Sequence, residues 1–370
     1  MSQADIDVDM AYVQARLLEM LAIPSPTGFT NELSRLVCAE LESIGVDYEL
    51  TRRGTIIATI PGAQRNISRA IVNHLDTIGA VVCELKPNGR LDLRAVGTWS
   101  SRFAEGGRVT VFTHDRAYRG QVLPLLASGH AFNERIDTLP IGWDQIELRL
   151  DEPVSSRDDL VALGLRSGDF VAFDSSPEIS ESGFVSARHL DNKAGAAALL
   201  AALKMIKESG REPAIDFQSI FTVTEEVGTG AGSSLSEAVI EFVGIDIGPV
   251  APGQNARETG VTLCAQDTSG PFDYHMLQKL KGLCRKYGIG HQVDVFRYYY
   301  SDANSAVRAG HDVRDALITF GTDATHGYER THLNSLESIA SLVYQYAFSK
   351  PVYPLLDDSG VARFPHVMPA

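Results

Sequence analysis

Apolar positions change their spacing several times along the chain, and each change marks an element. From Val8 to Ala22 they recur at helical intervals and stop at IPSPTG, whose prolines cannot continue a helix. A second amphipathic helix is predicted over Glu32 to Ile44, ended by Gly45. Val46 to Leu50 and Thr55 to Ile60 read as paired strands about the turn Arg53-Gly54. Arg69 to Leu75, RAIVNHL, has the unbroken apolar character of a buried strand and runs into HLDTIG. From about Ile78 to Val185 helical periodicity gives way to glycines and short alternating runs such as RVTVFTH, QIELRL and FVAFD, which predict a small inserted β-rich module. Within it, Leu160 to Asp174 reads as a short helix, a turn and a strand.

Beyond the insert the pattern alternates. A helical run opened by DNKAGAAALLAALKMIK precedes the strand Ile220 to Val223, which ends in TEEVGTGAG. Then follow helix Ser234 to Glu241, strand Phe242 to Ile247, helix Tyr274 to Tyr287, strand Gln292 to Tyr298, helix Ala303 to Ala309, strand Asp315 to Thr319 and helix Asn334 to Phe348. Helices and strands in alternation imply a mainly parallel sheet covered on both faces. The fold class is therefore α/β. A three-layer α/β/α domain made of residues 1–77 and 186–370 is interrupted at 78–185 by the β-rich module, barrel-like or PDZ-like. The tail after Lys350 is expected to be peripheral, and no internal repeat or low-complexity segment is visible.

The length of 370 residues suits two domains and a sizeable core. A net charge of -14 argues against nucleic acid or an anionic membrane as partner. Cys38, Cys83, Cys264 and Cys284 are scattered without a CxxC pair, as in a reduced, cytoplasmic protein. The start, MSQADIDVDM, lacks the basic and apolar regions of a secretory signal. The apolar stretch around Ala194 to Ala202 is far short of the roughly 20 residues a membrane span needs.

Candidate chemistry gathers where strands end. Glu225 and Glu226 leave a strand at its carboxyl end, where open α/β sheets build their sites, and adjacent residues there point different ways, so one can hold a metal while the other serves as a base. His74 and Asp76 in HLDTIG, Asp191 in DNKAG, Asp246 in FVGIDIG and His326 in LITFGTDATHG occupy comparable places. Any one of them alone reads as a cap or a surface group; together on one sheet edge they read as ligands. Imidazole and carboxylate without thiolate suit zinc, cobalt or manganese in an open catalytic site, and the inventory fits two cations with a shared anionic bridge.

The ordered set HLDTIG, DNKAG, TEEVGTGA, GIDIGPVAPG and a late histidine resembles metallopeptidase family forty-two, the tetrahedral TET-type co-catalytic aminopeptidases. The likeness extends from the PSPTG turn to the final helix and includes GLRSGDFVAF, similar to the end of that family's inserted β domain. The resemblance implies two divalent metal ions bridged by Asp191, with His74 and Asp246 completing one shell and Glu226 and His326 the other. It implies Glu225 as general base, Asp76 as the acceptor that fixes the His74 tautomer, Asn192 and Lys193 as positional residues, and a cis Asp191-Asn192 peptide. It also implies N-terminal cleavage of small peptides and homo-oligomers from dimer to dodecamer, assembled through the insert.

One departure concerns the last ligand. Family members usually carry a His-Ser pair after an arginine and an aromatic, whereas this chain has GTDATHGYERTH with two histidines. Register from the strand Ala316 to Phe320 favours His326; His332 is the alternative, or else a helix-entry residue. His189 is expected to be a strand-end neighbour, and His114, His130, His275, His291, His311 and His366 surface or packing residues. Asp302 and the aromatics Tyr298 to Tyr300 are candidate substrate contacts, with core packing the competing role for the tyrosines. The glycines of GTGAG lack a GK[ST] or Rossmann context and more simply let the loop turn. Two further functions stay open at this point. A metal-dependent deacylase or amidase would use the same residues, and one branch of the family that resembles this chain is associated with making the osmolyte N-acetylglutaminylglutamine amide. A metal-free scaffold would lack the bridge or the base, and here Asp191 and Glu225 are both present.

Overall fold

A computed structural model of the chain describes residues 7–352; the tail beyond them, with His366, and the first six residues lie outside the description. In chain order come α1 (Met10–Leu21), α2 (Asn31–Ser43), β1 (Asp47–Leu50), β2 (Ile56–Ile60) and β3 (Gln64–His74). The next part holds β4 (Gly79–Leu85), β5 (Leu91–Val96), β6 (Arg108–Phe112), β7 (Ala117–Pro124), α3 (Gly129–Phe132), β8 (Ile146–Leu150), α4 (Arg157–Ala162), β9 (Phe170–Phe173), β10 (Glu178–Ile179) and β11 (Phe184–Ala187). Then follow α5 (Leu190–Glu208), β12 (Ile215–Thr222), β13 (Val239–Pro249), β14 (Val261–Asp267), β15 (Gly270–Pro271), α6 (Tyr274–Tyr287), β16 (His291–Val295), α7 (Asp302–Arg308), β17 (Arg314–Thr322), β18 (Glu329–His332) and α8 (Leu333–Ala347).

The main sheet runs β1-β2-β12-β3-β13-β17-β14-β15, with β16 beside β14. Its centre, β12-β3-β13-β17, is parallel, while β1, β2 and the β14 edge bring in antiparallel pairings. The sheet is thus mixed where the sequence pattern suggested mainly parallel; the short turn between β1 and β2 permits only a hairpin. Alternate residues of the central strands feed separate cores. Ile71 and Phe221 pack under α1, α5 and α8, whereas Ala70, Val72 and Ile220 meet Ala303 and Ala306 of α7 on the opposite face. Each such fully buried Leu, Ile or Phe contributes about 1.5 to 3 kcal/mol.

Strands β4, β5, β8, β7, β6 and β9 close into a small barrel with its own core, including Leu91, Val109, Val111, Leu148 and Val171. A separate three-stranded sheet, β10-β11-β18, ties the barrel's exit to the loop before α8.

Several elements depart from the sequence pattern. No helix forms at Ser234 to Glu241: a single 3-10 turn at Ala231–Ser233 is followed by β13 from Val239. Glu241, the last residue of that predicted helix, is buried and faces the Arg69 guanidinium at 3.2 Å. β14, β15 and β18 were not anticipated, and the strand expected over Gln292 to Tyr298 ends at Val295, which leaves the tyrosines in a loop. Among the described residues no helix is long and apolar enough to cross a membrane, and the four cysteines are all free.

Candidate active site

Strand register brings the first residues together. His74 ends β3 opposite Thr222, the last residue of β12. On the other side Gly244 of β13 lies opposite Val72, so two residues further along Asp246 draws level with His74 and on the same face. Glu225 and Glu226 follow β12 in a 3-10 turn, and His326 lies in the loop after β17. Asp191 arrives from α5, which begins with two non-helical residues joined by a cis Asp191-Asn192 peptide. The Asn192 amide donates to the Ile245 carbonyl at 2.7 Å and to Asp246 Oδ1 at 3.3 Å, fastening this corner to β13.

The side chains form two triads that share one member. His74, Asp191 and Asp246 offer ligand atoms within 4.8 Å of one another, as do Asp191, Glu226 and His326. Asp191 Oδ1 is 3.0 Å from His74 Nε2, and its other oxygen is 3.3 Å from His326 Nε2. Main-chain carbonyls orient both rings: His74 Nδ1 lies 2.8 Å from the Asp76 carbonyl and His326 Nδ1 3.0 Å from that of Thr98 in the barrel. With Nδ1 donating in each case, Nε2 presents a lone pair inward. His74 Nε2 and Asp191 Oδ1 then face each other as buried acceptors without a hydrogen-bond partner. Such opposed acceptors, in a set of imidazoles and carboxylates with 3-plus-3 donors and a common bridge, fit a pair of divalent cations.

Asp76 departs from its expected part. Its carboxylate is 3.7 Å from His74 Nδ1, beyond a hydrogen bond, and its own carbonyl takes that place. The carboxylate instead accepts the N–H groups of Glu225 (3.1 Å) and Glu226 (3.2 Å) and the Thr27 hydroxyl (2.6 Å). It thereby caps the turn that carries the glutamates and binds it to the PSPTG corner. Glu226 Oε1 accepts from the Ile78 N–H at 3.1 Å, leaving Oε2 toward His326 at 3.5 Å. Glu225 belongs to neither triad and reaches to 3.7 Å from His74 Nε2.

Asp302, at the start of α7, is buried and accepts from Thr222 Oγ1 and, at 2.7 Å, from the Ala231 N–H, which fixes the glycine loop. A Cβ on Gly230 would come within 2.0 Å of its carboxylate, so this position has no room for a side chain. The buried acids press on one another. Burial, aided by Asp246, Asp302 and Glu226 against His74, pushes the Glu225 carboxyl well above its usual range. Burial and Asp191 lift Glu226 to about 8 against the opposing histidines, and burial lifts Asp302 to about 6.

Asp191, Glu225, Glu226, Asp246, Asp302 and His326 line an open cleft of about 990 Å³ together with Tyr298, Tyr299, Tyr300, Asn304 and Arg308. Tyr298 is 97% exposed and Tyr300 also exposed, while Tyr299 turns inward and donates to the Ile247 carbonyl at 2.8 Å. His332 lies outside the cluster; its Nδ1 caps α8 through the Asn334 N–H, and Nε2 meets the Ser182 carbonyl at 2.8 Å. His189 bonds the Phe173 carbonyl behind the site, and Lys193 donates to that of Ile23. His114 is exposed on the barrel and His291 bonds the Ile289 carbonyl. Sequence reasoning missed Thr27, the Thr98 carbonyl and Glu329, the last of which accepts from the Asp191 and His326 amides.

A family model described as M42 glutamyl aminopeptidase matches residues 54–342. YhfE of Bacillus subtilis (strain 168), named for an aminopeptidase, is 36% identical over 335 residues, which cover 90% of this chain and 96% of that protein. Among solved structures, the TET1 peptidase of Pyrococcus horikoshii, whose title describes assembly into a tetrahedron or a large octahedral shell, superposes with a TM-score of 0.81 at 23% identity over 91% of this chain and 100% of its own. A TET aminopeptidase from a marine-sediment thaumarchaeon gives 0.83 at 18% identity over 91% and 96%.

Proposed function

Since the chain belongs to the M42 glutamyl aminopeptidase family, we propose that it removes N-terminal residues from short peptides at two divalent cations. His74, Asp191 and Asp246 would hold one cation and Asp191, Glu226 and His326 the other, with Glu225 as general base. The observation that carries this reading is the double use of Asp191, whose two oxygens face different histidines. Its donor set suits zinc, cobalt or manganese. Cations bound there would supply Lewis acidity to the scissile carbonyl and ease the deprotonation of a water.

The chain's own residues do the rest. Glu225, free of both triads, takes the proton of the attacking water and returns it to the leaving amine. Asp76 keeps Glu225 and Glu226 aimed through their amides. The surplus of buried carboxylates draws a free α-ammonium into the cleft and disfavours a blocked terminus, so an aminopeptidase suits the site better than a deacylase. The cleft volume admits a short segment of peptide. We further propose homo-oligomers assembled through the barrel, and a cytoplasmic location in keeping with four free cysteines.

The test is hydrolysis of matched peptides with free and N-acetylated termini, before and after chelation. Cleavage of free termini alone, abolished by chelator and restored by zinc, cobalt or manganese, is the expected outcome. Preference for the acetylated series would replace the proposal with a deacylase.

A further inference from the structure

The structure assigns Glu329 a positioning role: its carboxylate sets the distance between the bridging Asp191 and the terminal ligand His326, and so tunes the affinity of the second cation site. This inference rests on the reading of the two triads as cation ligands. Glu329 is buried at the start of β18, and both its oxygens are used. Oε2 accepts the Asp191 N–H at 3.1 Å and Oε1 accepts the His326 N–H at 2.9 Å. With the carboxylate ionised, both bonds belong to the charge-assisted, stronger class.

The two residues it joins are members of one triad, and neither is held by regular structure. Asp191 is non-helical at the mouth of α5, and His326 sits at φ 63, with Ala324 nearby at φ 55. Glu329 itself is anchored on both sides. It pairs with Ala187 of β11, the strand that leads into Asp191, and Arg330 bridges back to Asp323 at the end of β17. One side chain therefore spans the two chain segments whose relative placement decides whether Asp191 Oδ2 and His326 Nε2 can meet on one ion. The first triad depends on it only through Asp191, since His74 and Asp246 are carried by β3 and β13.

The experiment titrates Co²⁺ into metal-free full-length protein by calorimetry, for wild type, Glu329→Gln and Glu329→Asp. Glutamine keeps the size but removes the charge and turns one acceptor into a donor; aspartate keeps the charge on an arm too short for both amides. Wild type is expected to take up two ions. Each variant should bind one of them with near-wild-type affinity and the other about 10- to 100-fold more weakly, the usual cost of losing a residue that orients ligands. Turnover should recover to within a few-fold of wild type at saturating Co²⁺, which lost folding would not allow. Where Glu329→Gln fails to fold, Glu329→Asp carries the same criterion. Two ions bound at unchanged affinity in a folded variant overturn the assignment and leave Glu329 a loop brace. Wild type taking up no divalent ion is a separate result: it removes the reading of the triads, and this inference with it.

Discussion

Replacing Glu225 with glutamine exchanges one buried carboxylate oxygen for an amide nitrogen and touches little else. The bond to Asp76 is made by the main-chain N–H of Glu225 and survives. Neither triad contains Glu225, so every cation ligand remains. The lost function is proton acceptance, which costs about 10²- to 10⁴-fold in rate, or about 2.7 to 5.4 kcal/mol on the barrier. Stability moves the other way: burial, with Asp246, Asp302 and Glu226, already pushes this carboxyl well above its usual range, and an amide removes the crowded charge. The expected signature is kcat down by at least about 100-fold, full metal content by atomic emission, and an unfolding midpoint equal to wild type or higher. Turnover of an unblocked aminoacyl chromogenic amide supplies the rate. Unchanged turnover would refute the assignment of the base, and loss of metal alongside turnover would refute the division between ligands and base.

Three other outcomes follow from the geometry. His326→Ala should retain one of two cations and lose turnover, whereas His332→Ala, which removes an N-cap, should cost about 1 kcal/mol of stability and leave turnover within a few-fold; metal loss on the second substitution alone would exchange the roles. Glu241→Ala strands the Arg69 guanidinium, 0% exposed, and should lower urea stability by about 3 to 5 kcal/mol without changing metal content, because the pair lies at the far end of β3 from His74; a loss below 1 kcal/mol would contradict this. Burial pushes His189 from 6.5 to about 3, so between those values the unfolded chain binds the extra proton and stability falls as pH drops. At pH 4.5 this amounts to roughly 2.7 kcal/mol, and chelated His189→Gln should lose that much less than chelated wild type on acidification; parallel urea curves would sink the argument.

Residues that announce themselves at strand ends were readable from the sequence. His74, Asp191, Glu226, Asp246 and His326 sit beside apolar runs in motifs with a fixed order, and the structure brings all five into the two triads. The barrel was readable too, as a loss of helical period. Two kinds of information escaped. Where a charged residue is buried against a distant partner, as Glu241 is against Arg69, local pattern mistakes a strand for a helix. Where the active group is a main-chain atom, side-chain identity carries no trace of it: the carbonyls of Asp76 and Thr98 orient the rings, and Asp76's own carboxylate serves the Glu225–Glu226 turn. Glu329 was missed for the same reason, since its partners are amides.

The carbonyl of Thr98 belongs to the inserted barrel, yet it holds an imidazole of the catalytic layer. Every residue type keeps its main-chain carbonyl, so a substitution at position 98 preserves that acceptor wherever the chain path is kept. Excision of the barrel is another matter. A minimal enzyme trimmed to the α/β layers would keep all five proposed ligands yet lose the acceptor that fixes one ring at Nδ1, and grafting the barrel of a cousin would succeed only if its chain retraced the same path past His326.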